Sequence, residues 1–309
     1  MAIAILRQDG KIETWIKALK AVNPEIQVFS YLEDHPKDEI EMALVWKHPK
    51  GSLAEYPNLK CIASSGAGVD FIFEDPDAPV HLPITRVVDT RLAKDMSEHV
   101  IAAIFAHIKN LNQYKIDQIN GIWKPIDYGR ISDFRVGILG LGALGLVLAY
   151  DLVKFGFKTQ GWSNSQKSIA GVQSFAGQED LAAFLETTQI LVCLLPLTNE
   201  TTGILNKTLF KQLPKGAYII NVARGGHLVD SDLIEMLDSE QLSGACLDVC
   251  HQEPLSTEHP FWKHSKVHMT PHYASVSDTR SVVPQILENY RRLQNEETLL
   301  HLVSKSKGY

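Results

Sequence analysis

No C-x-x-C pair occurs in this chain, and its cysteines number only four: Cys61, Cys193, Cys246 and Cys250. Cys61 and Cys193 sit in apolar stretches that read as strands, so free buried thiols in a reducing compartment are expected. No histidine pair with zinc spacing accompanies Cys246 and Cys250, and no metal site is predicted. Excess positive charge is also missing. The formal net charge is −6 and the pI about 6.1, which argues against nucleic acid or an anionic membrane as the main partner. The longest uncharged run, VGILGLGALGLVLAY at residues 136–150, is shorter than the roughly 20 residues that cross a bilayer. The opening MAIAILRQDG lacks the longer apolar region and small-residue cleavage site of a signal peptide. A cytoplasmic protein is expected, with no tandem repeat and no low-complexity segment.

What is present is a core. Hydrophobic residues make up 45% and charged residues 21% of 309 residues, a globular composition whose length suggests about two domains. Apolar runs at 2–6, 26–30, 42–46, 60–64 and 84–88 read as strands. Between the first two, IETWIKALKAV (12–22) places Ile12, Trp15, Ile16 and Leu19 on one helical face. Residues 93–120 contain no proline or glycine and predict a long helix, broken at most once; 121–134 read as loop. A second alternation follows, with strands at 135–140, 157–162, 189–195, 216–222, 243–249 and 266–270 and helices such as 144–155 and 230–240. The tail, 277–297, is helical apart from Pro284. Alternating strands and helices imply parallel sheets. The predicted architecture is α/β, with two Rossmann-like or flavodoxin-like domains. A cofactor domain (99–276) is inserted into a discontinuous substrate domain (1–98 and 277–309), to which the tail returns.

Gly140, Gly142 and Gly145 form G-x-G-x-x-G after a predicted strand and at the start of a predicted helix. The three glycines serve a tight turn, close approach of a pyrophosphate, and close packing of helix on strand. The helix N-terminus presents free N–H groups to phosphates. Gly140, Leu141, Gly142, Ala143, Leu144 and Gly145 are therefore candidate dinucleotide contacts. The motif also predicts an acid near the end of the next strand, to hold the ribose 2′-hydroxyl of NAD. That region carries Ser163, Asn164, Ser165 and Lys167, and no acid. Neutral donors with a nearby cation suit a 2′-phosphate, so NADP(H) is the expected cofactor, with NAD(H) still possible if the loop is merely polar.

Three further strand ends carry reactive groups. In AYIINVARGGHLVD (217–230) a buried strand runs to Arg224 and then to two glycines. A guanidinium is planar and permanently charged, suited to gripping a carboxylate, although a solvated arginine in a surface turn would read the same way. The second end is Asp248 to Pro254, with Glu253; the third is Thr270 to Ser275, with His272. Each alone could be ordinary loop chemistry. Three in succession, at the edge where α/β sheets bind ligands, point to a site.

On these residues the chain resembles the D-isomer-specific 2-hydroxyacid dehydrogenase family over essentially its whole length, and most of all the glyoxylate/hydroxypyruvate reductase A branch. Carrying the resemblance are the glycine turn, Leu195-Pro196-Leu197-Thr198 with Thr201, Asn221 to Gly225, Asp248 with Glu253-Pro254, Pro271-His272 with Ala274-Ser275, Trp46, and Ser65 to Asp70. The resemblance implies reduction of short 2-oxoacids, glyoxylate or hydroxypyruvate, by hydride transfer from NADPH. It implies that Arg224 holds the substrate carboxylate or 2-oxo oxygen and that His272 is the general acid. Glu253 would pair with His272 and favour its protonated form. Trp46 and the backbone of Ala67, Gly68 and Val69 would bind substrate. Leu195, Pro196, Leu197, Thr201, Val222, Ala223, Arg224, Asp248 and His272 would join the cofactor contacts, with Asp248 at the nicotinamide carboxamide. A homodimer through the cofactor domain is implied too. A binding protein of the same fold, a dinucleotide-sensing corepressor, is the alternative. A Rossmann dehydrogenase of another family is a third reading, and no zinc cluster supports it.

Overall fold

The structure is a computed structural model that describes residues 2–304 and 308. The chain divides into two compact units: Ala93–Ser275, and the segments up to Leu92 and from Val276 onward. The sequence reading places these boundaries at 98/99 and 276/277; residues 1, 305–307 and 309 of its first domain lie outside the described residues.

In the first unit β1 (Ala2–Arg7), α1 (Ile12–Val22), β2 (Gln27–Ser30), β3 (Ile40–Trp46), β4 (Cys61–Ser64), α2 (Asp70–Phe73) and β5 (Ile84–Thr85) follow one another. Helix α3 (Thr90–Ile108) crosses the division and is followed by α4 (Leu111–Ile119). The break in the expected long helix falls at Asn110, whose φ of 55° is left-handed. The second unit continues with β6 (Arg135–Leu139), α5 (Ala143–Phe155), β7 (Lys158–Ser163), β8 (Val172–Ala176), α6 (Gly177–Glu186) and β9 (Ile190–Cys193). It is completed by α7 (Lys207–Phe210), β10 (Ala217–Asn221), α8 (Asp230–Asp238), β11 (Leu242–Leu247) and β12 (Val267–Met269). Helix α9 (Thr279–Gln294) returns the chain to the first unit. Pro284 lies inside α9 rather than interrupting it. A proline in a helix interior costs about 3 kcal/mol, and burial of Val282, Val283, Ile286 and Tyr290 on the same helix offsets that.

Both sheets are parallel. Their orders are β2-β1-β3-β4-β5 and β12-β11-β10-β9-β6-β7-β8. Helices cover both faces, which is why the central strands are almost unbroken apolar runs. Period-two alternation then sorts side chains by face. In the first unit Ile3, Ile5, Met42 and Leu44 meet Trp15 and Leu19 of α1 and Val283 and Ile286 of α9. Ala4, Leu6, Ala43 and Val45 meet Leu53, Tyr56 and Ile72 on the other side. In the second unit Val136, Ile138 and Ile220 pack on Ile104 and Leu148, while Leu139, Leu191 and Ile219 pack on Phe184 and Leu233.

Strand β8 was not among the expected strands. Its sequence, VQSFA, is only partly buried, and as the last strand of its sheet it has a neighbour on one side only. Each sheet has a point where the strand order reverses, between β1 and β3 and between β6 and β9, and in open α/β sheets ligands bind beyond the strand ends at such points.

Candidate active site

The glycine turn leaves β6 at its switch point. Gly140 has φ +104°, and a Cβ there would lie 2.8 Å from Leu194 O. At Gly145 a Cβ would fall 1.9 Å from Gly140 O, so α5 rests directly on the turn. At Gly142 nothing lies within 4 Å: the space a side chain would fill is open, as approach of a pyrophosphate requires. The first N–H groups of α5 lack intrahelical acceptors, like those of any helix. These features fit a dinucleotide. Leu141, Leu195, Val222 and Ala223 have their side chains in the hydrophobic clusters, so these positions offer a ligand mainly their backbone. Pro196 and Leu197 lie in the segment after β9, which Thr201 closes: its hydroxyl donates to Pro196 O at 2.7 Å and accepts from Thr198 N at 2.9 Å.

Strand β7 ends at Ser163, whose hydroxyl donates to Ser165 O at 2.9 Å. Asn164, Ser165 and Lys167 are exposed. No Asp or Glu occurs between Asp151 and Glu179.

Register assembles the reactive groups. Asn221 pairs with Leu247, and Leu247 with Met269, so the ends of β10, β11 and β12 stand level. Beyond them come Arg224, then Asp248 and Glu253, then His272. Buried Asn221 holds the first turn: its Oδ1 accepts from Ala223 N at 3.2 Å and its Nδ2 donates to Arg224 O at 3.0 Å. His227, fully buried, braces it from the far side. Arg224 N donates to His227 Nδ1 at 3.2 Å, and His227 Nε2 reaches Pro196 O at 3.2 Å. Arg224 Nη1 donates to its neighbour Ala223 O at 2.7 Å. The glycine after the arginine has a tertiary cause. A Cβ at Gly225 would sit 2.0 Å from the Cys250 carbonyl carbon, because the loop after β11 crosses directly over it.

Asp248 is 2% exposed and clamps the loop after β12. Its Oδ1 accepts from Thr270 Oγ1 at 2.5 Å and Tyr273 N at 2.8 Å, and its Oδ2 from Ala274 N at 3.0 Å. The loop therefore takes most of this carboxylate's acceptor capacity, and Oδ2 retains room for one more donor. His272 has φ 54°, held there by bonds from its N–H to Asp248 O at 2.8 Å and Thr270 O at 3.0 Å. Its Nδ1 meets Glu253 Oε2 at 2.8 Å, and Glu253 Oε1 accepts from Cys250 N at 3.2 Å. Burial, with Asp230, Glu253 and Asp248 nearby, pushes the Cys250 thiol up to about 11. Burial raises Cys61, Cys193 and Cys246 to about 12. Burial thus favours the protonated thiol at all four positions.

The remaining expected residues belong to the first unit. Trp46 ends β3 and lies on Gly66, where a Cβ would be 2.3 Å from the indole; Phe71 meets its ring edge-on at 5.5 Å. Ala67, Gly68 and Val69 follow, and their N–H groups have no acceptor among the described residues. Ser64 Oγ fixes this turn by donating to Gly68 O at 2.8 Å. Sequence reasoning did not single out Arg7, at the end of β1. It grips Asp9 with two nitrogens at 2.7 and 2.6 Å and donates to Ser65 Oγ at 3.2 Å. Its one legible signal was a charge closing an apolar strand. His227 was likewise visible only as a polar residue in a buried stretch, whereas Asn221 belonged to the motif that carries the family resemblance.

These features are those of a family. The model of the D-isomer specific 2-hydroxyacid dehydrogenase, NAD binding domain, matches residues 101–274, and the chain belongs to that family of NAD(P)-dependent oxidoreductases. It is 41% identical over 304 residues, 96% of each chain, to glyoxylate/hydroxypyruvate reductase A of Serratia proteamaculans. A D-isomer specific 2-hydroxyacid dehydrogenase of Xanthobacter autotrophicus Py2, solved with NADPH and MES, matches with a TM-score of 0.94 at 36% identity, covering 100% of this chain and 99% of that one. The NADPH-dependent glyoxylate/hydroxypyruvate reductase of Sinorhizobium meliloti, solved with NADP and sulfate, matches with a TM-score of 0.92 at 35% identity and the same coverage. Among the described residues no helix is long and apolar enough to cross a membrane, and no cluster of metal-ligating side chains occurs.

Proposed function

We propose that this chain reduces short 2-oxoacids with NADPH, glyoxylate to glycolate and hydroxypyruvate to D-glycerate, with His272 as general acid. The observation that carries the reading is the 2.8 Å bond between His272 Nδ1 and Glu253 Oε2. A carboxylate on Nδ1 fixes the ring's orientation and leaves Nε2 as the nitrogen that can carry and deliver a proton.

In this reading the glycine turn, residues 140–145, holds the pyrophosphate. Ser163, Asn164, Ser165 and Lys167 would take the 2′-phosphate, and Asp248 would lie at the nicotinamide carboxamide. Leu195, Pro196, Leu197, Thr201, Val222 and Ala223 complete the cofactor contacts. When bound, the reduced nicotinamide supplies the hydride that reduces C2 of the substrate. Negative charge then develops on the 2-oxo oxygen. The Arg224 guanidinium offsets that charge, and His272 Nε2 delivers its proton to the same oxygen, which completes the hydroxyl. The ring is left neutral, with Nδ1–H still on Glu253. The family likeness supports Trp46, Ala67, Gly68 and Val69 of the first unit as further substrate-binding residues. Homodimerisation through the NAD-binding unit and a cytoplasmic setting, supported by the family likeness and the reduced cysteines, belong to the same proposal.

The test follows the absorbance of NADPH after adding glyoxylate or hydroxypyruvate, for the wild type and for His272→Ala. The wild type should turn over both. The variant should lose about 10²–10⁴-fold in rate while NADPH binding, read by fluorescence, survives. Wild-type protein that binds NADPH but oxidises none of it would favour a dinucleotide-sensing role.

A further inference from the structure

We infer that Ser174, on the edge strand β8, positions the loop that receives the 2′-phosphate and thereby sets the preference for NADPH. The inference rests on the cofactor reading above and adds to it a residue outside that loop. Strands β7 and β8 are parallel neighbours, yet residues 164–171 alone connect them. Parallel pairs are usually joined by a dozen residues or more, most often with a helix. This connection is too short for one and returns along the edge of the sheet. It turns at Gly171, with φ +78°, and Ile169 bridges to Val172 in antiparallel sense.

Two donors from the loop converge on one residue. Lys167 N donates to Ser174 Oγ at 3.1 Å, and Gln166 Nε2 donates to Ser174 O at 3.2 Å. Ser174 is itself fixed, because it pairs with Gly161 in the middle of the β7–β8 ladder. The rigid strand thus holds the backbone of the residue carrying the loop's cation. The Lys167 ammonium is exposed and has no acceptor among the described residues, and the chain on either side is free of acids from Asp151 to Glu179. An anchored backbone leaves only the lysine side chain to be ordered when a phosphate binds, which reduces the entropy cost. Ser174 does not touch the phosphate. It is a positioning residue acting through Lys167.

Adenosine 2′,5′-bisphosphate and adenosine 5′-phosphate separate the 2′-phosphate from the rest of the nucleotide. Their Kd values are measured by calorimetry on the wild type, Ser174→Ala and Ser174→Thr. Loss of the hydroxyl should weaken the bisphosphate about three- to tenfold, the worth of one hydrogen bond, and leave the monophosphate unchanged. Threonine, which keeps the oxygen, should restore the wild-type value. KM for NADPH should rise by the same factor in the alanine variant, with kcat unchanged. Equal losses for the two nucleotides would mark Ser174 as merely structural and overturn the inference, as would no loss at all. Glyoxylate reduction by the same preparations keeps the two readings apart. Selective weakening without reductase activity removes the substrate assignment alone. Activity with both nucleotides bound alike removes the role of Ser174 alone.

Discussion

Replacing Asp248 by Asn tests whether the loop that carries His272 is held by a buried carboxylate. The side chain accepts three donors, Thr270 Oγ1 and Tyr273 N on one oxygen and Ala274 N on the other. An amide has one acceptor oxygen. Its least costly orientation keeps Thr270 and Tyr273 and turns the NH₂ group toward Ala274 N–H. One charge-assisted hydrogen bond, worth about 1.5–3 kcal/mol, is then lost, and a buried N–H is stranded at a further cost of about 1–3 kcal/mol. The expected loss is therefore about 2.5–6 kcal/mol in the NAD-binding unit, read as a lower urea midpoint by fluorescence and circular dichroism. Activity should fall as well, because the same donors position the turn on which His272 sits. A misplacement of about 1 Å at a reacting group can cost on the order of 10²-fold, so kcat with glyoxylate should drop by roughly that factor. A variant with an unchanged urea midpoint and kcat within twofold of wild type would refute the clamp.

Arg224→Lys keeps the charge but loses the planar two-point grip; kcat/KM for glyoxylate should fall about 10–100-fold, and near-wild-type turnover would remove Arg224 from the substrate site. Ser163→Asp introduces a carboxylate where a 2′-phosphate is expected, and should shift the NADPH-to-NADH ratio of kcat/KM toward NADH on the order of tenfold. The wild-type preference for NADPH should weaken as salt screens Lys167, and equal or better use of NADH by the wild type would contradict the cofactor reading. His107 stacks on Tyr218 with ring centroids 3.9 Å apart, and burial, with His268 nearby, depresses its pKa from 6.5 to about 4. The folded state thus favours the neutral ring, so this stabilisation is complete above the unfolded value and disappears as the pH falls through about 4. It amounts to at most about 3 kcal/mol. Urea midpoints between pH 7 and pH 4 should fall less steeply for His107→Phe than for wild type, and parallel curves would exclude His107 as the source.

The sequence by itself determined the elements with strong periodicity. The span 12–22 was legible as a helix because its apolar residues recur at helical spacing, and the structure has α1 over Ile12–Val22. The central strands were legible because parallel strands covered on both faces are continuous apolar runs. The glycine turn was legible because its spacing follows a strand and opens a helix. Arg224, Glu253 and His272 stood out as polar residues closing apolar stretches, and the family resemblance gave them roles. Tertiary structure decided the rest. Strand β8 exists by virtue of its ladder with β7, since VQSFA has neither a strong apolar run nor a buried face. The glycine at 225 answers to the backbone of Cys250, 25 residues away, a contact that no local pattern encodes. His227 and Asn221 became braces for Arg224 once β9 and β10 lay side by side, bringing Pro196 beneath the turn. The family resemblance makes Asp248 a cofactor contact, and folding adds three donors from the next loop. Glu253 meets His272 because β11 and β12 are paired in register. Local spacing controls backbone conformation and burial, whereas register between distant strands controls which side chains meet, and only the folded sheet sets that register.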